Sequence, residues 1–539
     1  MFDSGIARLI LAYIPISIIG LWRWSFWIIR RVAAAMYRPK VGTWPKDQPR
    51  PTVTVVTPVY NEDPHLFEEA MQSWIDNGVN EIIAVIDKTN TRHIVHFEHK
   101  YVRNAKIKTK CRLVVQPTKG KRAALCDGIE SAKGDLIALV DSDTVWDKDV
   151  LEKTLPYFLN RQIGGATLTQ RVKNPDNLAT VIFDIMLWSR YQEEIPSLLG
   201  VGKAFNTLSG RTAFYRREAI LAEEYDNLHH LRHEFFLGTR AISGDDKRLT
   251  HLILQQGWHV AYVVGPKVYT SGMRSLRQFL KQRLRWTRNS WRGDLRAVLR
   301  GWIWRHPALA IFRIDSFIQP FVMLIGPVVF AVALMKQDWL IAGLLLAWWL
   351  FSRTIKLFGY FRAHPARIIY LPAYIVMSYV NAIIKVYALA TLVEHGWATR
   401  WHKARMQTKR LVRRLATIGS GVLVLTLFFG CVVAFVNYSR QRTAADIAVP
   451  APVETAAFEN DIDFASDAPL VPNLRPEAIL PTGVKQYQVV PGDTLLELSE
   501  RFGMSVEELK KLNGLRDPDV LHVGQMIIYY EYEESVHKP

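Results

Sequence analysis

The sequence predicts an α/β domain on an open, mostly parallel sheet, accompanied by membrane-directed helices and followed by a small α+β module. Three observations carry this prediction. Short apolar runs alternate with amphipathic stretches from Thr52 to about Gly265, the rhythm of repeated βαβ units. Longer apolar runs crowd at residues 9–29 and 311–437, where ~20 residues suffice for one bilayer crossing. A strand–helix–helix–strand pattern with its own caps occupies the stretch from Tyr487 to Tyr530.

At 539 residues the chain is too long for one core, and its parts are expected in the following order. Residues 1–49 hold an apolar stretch from Leu9 to Ile29 with no small-residue cleavage site after it, so it reads as an uncleaved anchor. Residues 50–270 form the α/β domain, with strands expected at Thr52–Thr57, Glu81–Ile86, Arg112–Val115 and Asp135–Val140. Residues 271–305 are interfacial: the stretch 274–305 is basic, Trp-rich and amphipathic, as suits a membrane surface.

Residues 306–438 combine transmembrane and interfacial helices, with spans at about 311–334 and 339–359. A third run, 366–392, is interrupted by Pro372, Asn381 and Lys385 and is expected to lie in the interface. If it crossed, Arg400, Lys403, Arg405, Lys409, Arg410, Arg413 and Arg414 would lie outside, against the positive-inside rule. The run Leu415–Val436 then carries the chain out of the cell. Residues 439–485, rich in Ala, Pro and acid, read as a disordered extracytoplasmic linker, and 486–531 as the module, with Thr494 and Ser505 as helix caps and Gly514 as a stop.

Composition narrows the function. The net charge of +18 would fit nucleic acid, but much of the Lys and Arg flanks apolar runs, as at Arg30-Arg31 and from Lys409 to Arg414, so membrane anchoring accounts for it and no nucleic acid is expected. The three cysteines, Cys111, Cys126 and Cys431, have neither paired metal spacing nor a place in the C-terminal module, which argues against zinc and disulfide frameworks. His229, His230 and His233 read as a polar loop.

Ligands of open α/β sheets bind beyond the carboxyl ends of the strands. Those ends here carry Tyr60-Asn61-Glu62, Asp87 and Asp141-Ser142-Asp143. The hard carboxylate oxygens of Asp141 and Asp143 suit Mg2+ or Mn2+ held against a diphosphate. Lys119-Gly120-Lys121-Arg122 opens a helical stretch, where N–H groups and cations meet phosphate. Ser243-Gly244-Asp245-Asp246 offers a general base for an acceptor hydroxyl. In Gln282-Arg283-Leu284-Arg285-Trp286 an arginine can bridge a diphosphate while the indole offers a flat face to a sugar ring. Singly, these motifs also read as strand-end caps, a solvated basic turn and an interfacial helix; their joint order favours a site.

With Thr57-Pro58-Val59-Tyr60-Asn61-Glu62 and Ser209-Gly210-Arg211, the set resembles the processive family-two glycosyltransferases, which include hyaluronan, chitin and cellulose synthases. The resemblance covers about residues 50–415 and includes Gly396-Trp397-Ala398-Thr399-Arg400, similar to a Trp-Gly-Thr-Arg element of hyaluronan synthases. It implies a GT-A fold and an inverting, single-displacement transfer from a nucleotide sugar to a growing β-linked polysaccharide. It further implies that Tyr60, Glu62 and Asp87 surround uridine, that Lys121 and Arg285 face the diphosphate, and that Asp143, helped by Asp141, holds the metal. Asp246 would be the base, with Asp245 in support, and Trp286 and Gln282 would receive the acceptor.

Ser209-Gly210-Arg211-Thr212 departs from the hyaluronan pattern and looks closer to the Thr-Gly-Arg of alginate-polymerising subunits, as does Gly244-Asp245-Asp246-Lys247. The donor therefore stays open between UDP-GlcNAc with or without UDP-GlcA and GDP-mannuronate. Residues 487–530 resemble a LysM domain, which implies binding of peptidoglycan or a chitin-like glycan. The expected setting is the plasma membrane, in contact with lipid, with a cytosolic catalytic domain and an extracytoplasmic LysM. Single-sugar transfer to a lipid or short oligosaccharide is one rival, and a wall-binding protein with a catalytically dead sheet domain is another.

Overall fold

The computed structural model describes residues 4–392 and 484–530, apart from residues 40, 118–119, 237–238, 241–243, 274, 491–492 and 516–523. Lys119, Ser243, the element at 396–400, the expected span Leu415–Val436, most of the linker and parts of the LysM turns lie outside the described residues.

The larger unit opens with helix α1 (Ser4–Met36). The sheet domain then runs β1 (Val53–Val59), α2 (Pro64–Asp76), β2 (Glu81–Asp87), β3 (Lys110–Gln116), α3 (Lys121–Ser131), β4 (Leu136–Val140) and β5 (Val145–Trp146). It continues with β6 (Ile163–Val172), α4 (Leu178–Ser189), β7 (Thr212–Arg216), α5 (Asp245–Gln255) and β8 (His259–Thr270). Helices α6 (Leu276–Leu299), α7 (Pro307–Met335), α8 (Trp339–Ala363) and α9 (Leu371–Ala390) follow.

The sheet order is β3-β2-β1-β4-β7-β6-β8-β5. The four strands from β3 to β4 are mutually parallel, and β8 runs parallel to β6. β7 is antiparallel to both β4 and β6, and β5 to β8, so the sheet is mixed where a mostly parallel one was expected. The reason is physical: β7 is buried on both faces except at its last residue, and a doubly buried strand shows no alternation from which sequence could read its pairing partners.

Each face of the sheet is covered, which is why β2 and β4 are buried throughout. On one side Val56, Ile83 and Ile137 pack with Ala124 of α3, Ile182 of α4 and Ile253 of α5. On the other, Val55, Ile82 and Ala138 meet Phe67, Met71 and Trp74 of α2. Phe26 and Ala33 of α1 are buried, Phe26 within the first of these cores. Gly200, on the helix Ile195–Val201, lies so close to α1 that a Cβ would stand 1.9 Å from the Ala33 carbonyl oxygen.

Among the described residues, three helices are long and apolar enough to cross a membrane, Pro307–Met335, Trp339–Ala363 and Pro365–Ala390, the last including the turn before α9. The residues that interrupt the apolar run of the third are accommodated within the helix. Pro372 occupies the first turn of α9, where its missing N–H costs no hydrogen bond. Asn381 accepts from Arg283 Nε of α6 at 3.2 Å, and Lys385 donates to Gln319 Oε1 of α7 at 3.0 Å. Asn381 and Lys385, which interrupt the apolar run, thus face other helices. His229 and His230 likewise lie in a short helix, Asn227–Arg232, with His233 at its end, where a loop was expected.

The C-terminal unit has β9 (Val484–Gln488), α10 (Leu495–Phe502), α11 (Val506–Leu512) and β10 (Met526–Tyr530), the strands pairing antiparallel. Ser505 forms a capping box with Glu508, and Thr494 Oγ1 accepts from the Glu497 N–H at 3.3 Å. Val489, Leu495, Leu498, Met504, Leu509 and Ile527 form its core.

Candidate active site

Because β1 pairs in parallel with both β2 and β4, their carboxyl ends emerge along one edge. Tyr60 sits at the rim, 55% exposed, and Asn61 turns the chain at φ +51°, a conformation Asn tolerates. Glu62 is then brought across to β4, where Ser142 Oγ donates to its Oε2 at 2.9 Å. Asp87 closes β2, and its Oδ1 accepts from the Thr89 N–H and hydroxyl at 2.9 and 2.5 Å. Asp143 accepts from Ser271 Oγ, and from Thr270 Oγ1 at 3.3 Å, which ties the end of β4 to the end of β8.

Lys121, at the first position of α3, bridges two acidic groups: its Nζ is 2.6 Å from Asp141 Oδ1 and 3.3 Å from Asp245 Oδ2. Burial works against the ammonium charge, but Asp141 and Asp245 outweigh it and hold the group above the ordinary lysine range. Burial likewise opposes the Asp245 charge, and Lys121 and Arg122 overcome it, holding that carboxyl below its usual range. Gly244 reaches φ +87° to open α5, a conformation that favours glycine. Asp246 follows, with Oδ1 accepting from the Lys247 N–H at 2.8 Å and Oδ2 from the Gly210 N–H at 3.5 Å. Lys121, Asp141, Gly210, Asp245 and Asp246 line one cleft of ≈ 310 Å³.

Helix α6 is joined to this edge through Arg211. The Trp286 ring packs on Phe183 with centroids 5.8 Å apart, and the Arg211 guanidinium stands 5.3 Å from the first ring and 5.0 Å from the second. Arg211 Nη1 donates to Gln170 Oε1 at 3.2 Å, while its carbonyl accepts from the Asp141 N–H at 3.3 Å. One residue therefore joins the indole to the acidic edge. Burial lowers the pKa of Arg285, and the charges of Asp245, Asp246 and Asp141 act against that fall, placing its guanidinium in their field. Gln282 Oε1 is buried and accepts no hydrogen bond among the described residues.

The structure thus gathers Lys121, Asp141, Asp245 and Asp246 around one cleft, with Glu62 and Asp143 adjoining and Asp87 and Tyr60 at neighbouring strand ends. The tie made by Arg211 was not foreseen. Ser209-Gly210-Arg211 stood out as a motif, but nothing local shows that its side chain reaches α6. The Glu62 carboxyl is pushed up by burial and then by the charges of Asp143 and Asp141, so hard oxygen donors crowd here in mutual repulsion. That is the donor set a divalent cation would neutralise, although no group of three His, Cys, Asp or Glu among the described residues has the geometry of a metal site.

Fold and site together define a glycosyltransferase. Residues 49–289 match the family described as glycosyltransferase like family 2, and residues 487–528 match the LysM domain. Residues 49–289 thus form a GT-A-like, family-two glycosyltransferase domain, and residues 487–528 a LysM domain. It is 24% identical over 412 residues to a type 2 glycosyltransferase of Zymoseptoria tritici, covering 71% of this chain and 85% of that one. To an N-acetylglucosaminyltransferase of Azorhizobium caulinodans it is 32% identical over 255 residues, covering 46% and 62%. To a hyaluronan synthase of Streptococcus pyogenes it is 28% identical over 403 residues, covering 71% and 91%.

Proposed function

We propose that the protein is a processive, inverting membrane glycosyltransferase that elongates a β-linked polysaccharide from UDP-GlcNAc, with or without UDP-GlcA, and secretes it. The observation that carries this reading is the tie from Trp286 through Arg211 to Asp141, which fixes an aromatic acceptor platform to the acidic donor edge. The names of the streptococcal and azorhizobial relatives support a donor carrying N-acetylglucosamine or its hyaluronan partner sugar.

In this reading Tyr60, Glu62 and Asp87 cradle uridine, and Lys121 and Arg285 meet the diphosphate. Mg2+ or Mn2+ held by Asp141 and Asp143 would neutralise charge on the leaving group. The Asp246 carboxylate takes the proton of the acceptor hydroxyl. The freed oxygen attacks the anomeric carbon opposite the departing diphosphate, so an α-linked donor gives a β-linkage. Asp245 keeps Lys121 in place, Gln282 receives an acceptor hydroxyl, and Trp286 stacks on the acceptor ring.

The catalytic domain would face the cytosol, with α7 and α8 crossing the bilayer beside α6. The LysM domain would lie outside and hold peptidoglycan or a chitin-like product. Protease added to intact cells should release the LysM domain and spare residues 50–300; a protected LysM would overturn this topology. A second reading, an alginate-type polymerase using GDP-mannuronate, is favoured by Arg211, a cation beside the Trp286 face that suits a uronate.

The deciding experiment supplies radiolabelled UDP-GlcNAc, UDP-GlcA, UDP-Glc or GDP-mannuronate to purified protein in lipid, with magnesium or manganese, and sizes the product. Long product needing UDP-GlcNAc is expected. Product from GDP-mannuronate alone moves the protein to the second reading, and short product from every donor refutes processivity.

A further inference from the structure

The geometry points to a second anion site, behind the catalytic cleft, that takes a compact phosphate-class anion. A cavity of ≈ 300 Å³ is lined by Arg122, Lys247, Arg248, Arg292 and Arg296, with Glu234 the lining carboxylate among the described residues. Lys247 is already matched by Asp294, 2.7 Å away. Three of the arginines share Glu234 unequally: Arg122 lies 2.5 Å from it, Arg248 3.7 Å, and Arg296 in direct contact, while Arg292 Nη2 donates to Asn289 Oδ1 at 2.6 Å.

The cluster is built into the fold. Arg122, Arg248 and Arg292 are 5%, 7% and 4% exposed, and the Arg248 Nε donates no hydrogen bond among the described residues. Burial, and then the charges of neighbouring arginines, pull Arg248, Arg292 and Arg296 each down to about 10, far below where guanidinium groups titrate. Positive charge concentrated among fixed, planar donors is what binds phosphate oxygens bidentately.

The position connects this cavity to the reaction. It backs onto the cleft across the start of α5, with Arg122 following Lys121 and Lys247 following Asp246 in sequence. Arg122 Nη2 donates to the Gly244 carbonyl at 3.1 Å. An anion competing with Glu234 for Arg122 and Arg248 would therefore act on the residue from which Asp245 and Asp246 are hung. The phosphate could be free in the cytosol or be the headgroup of a lipid, since Arg292 and Arg296 belong to α6, which packs on the membrane-directed helix α9.

The test uses the full chain in phosphatidylcholine nanodiscs, titrated calorimetrically with sodium phosphate at constant ionic strength. A second arm omits phosphate and adds phosphatidic acid to the nanodisc. Saturable binding is expected in the wild type and in Lys121→Gln, weakened at least about tenfold in Arg248→Gln, the loss of one charged hydrogen bond. Glu234→Gln should bind severalfold more tightly, because the competing carboxylate is gone; a folding defect would not tighten binding. A response confined to phosphatidic acid and weakened by Arg248→Gln keeps the site and identifies the lipid as its source. Binding lost in Lys121→Gln and intact in Arg248→Gln assigns the phosphate to the catalytic cleft and overturns the proposal, as does the absence of saturable binding in both arms.

Discussion

Replacing Asp294 by alanine should unfasten the catalytic helix from the acceptor helix. Asp294 lies on α6, 2.7 Å from Lys247 Nζ on α5, with the two side chains 5% and 7% exposed, and Arg313 of α7 approaches its other oxygen at 3.9 Å. Lys247 also donates to Ser290 Oγ at 2.9 Å. Burial pulls Lys247 down to about 8, and Asp294 is the main force holding its charge. Removing one partner of a buried pair costs about 3–5 kcal/mol. At about 2–4 °C per kcal/mol for a domain of this size, Asp294→Ala should lower Tm by about 6–20 °C, read by tryptophan fluorescence in nanodiscs. The double variant Lys247→Met with Asp294→Leu should recover most of that loss, since a well-packed apolar pair leaves no charge stranded. A loss under about 1 kcal/mol in the single variant, or a double variant less stable than the single, would refute the reasoning.

Asp246→Asn should reduce kcat by about 100- to 10,000-fold while leaving donor KM within a few-fold, measured as product formed under saturating donor. Trp286→Ala removes the Phe183 and Arg211 contacts; product length on gels should shorten more than the initial rate of donor use falls. Glu62 carries a pH signature. Its folded pKa lies above 4.5, so between that value and the raised one the folded state keeps a proton that the unfolded chain has released. Stability therefore falls as pH rises through that window, and the deficit persists at neutral pH. Metal-free Glu62→Gln should melt above wild type at pH 7.5, with the gap closing below pH 4.5; a lower melting temperature at pH 7.5 would contradict the burial described for this group.

The carboxyl-end motifs were legible because apolar runs such as Glu81–Asp87 end abruptly in acidic or turn residues. β7 was harder to read because a strand buried on both faces carries no periodicity. Helix α6 holds more than its pattern shows. Its pattern reads as a basic face at the membrane surface, yet Arg288, Arg292 and Asp294 are 6%, 4% and 4% exposed. Arg288 Nε donates to Thr391 Oγ1 at 2.9 Å. Charge in a sequence suggests solvent until a partner distant in the chain is known, and those partners, like the ring over which Arg211 lies, are supplied only by tertiary packing.

The backbone approach at Gly200 changes how the N-terminal helix should be regarded. A Cβ there would lie 1.9 Å from the Ala33 carbonyl oxygen, closer than any non-bonded pair tolerates, so even alanine would push the two helices apart. Helix α1 is accordingly a structural wall of the enzyme and not an interchangeable leash. A fragment cut at residue 50 to obtain a soluble enzyme would lose Phe26 from its core and bare the apolar surface that Leu198 and Phe312 now share with it. Such a fragment is expected to clump, while an exchange of α1 for another apolar helix would succeed only if its backbone could approach Gly200 as closely.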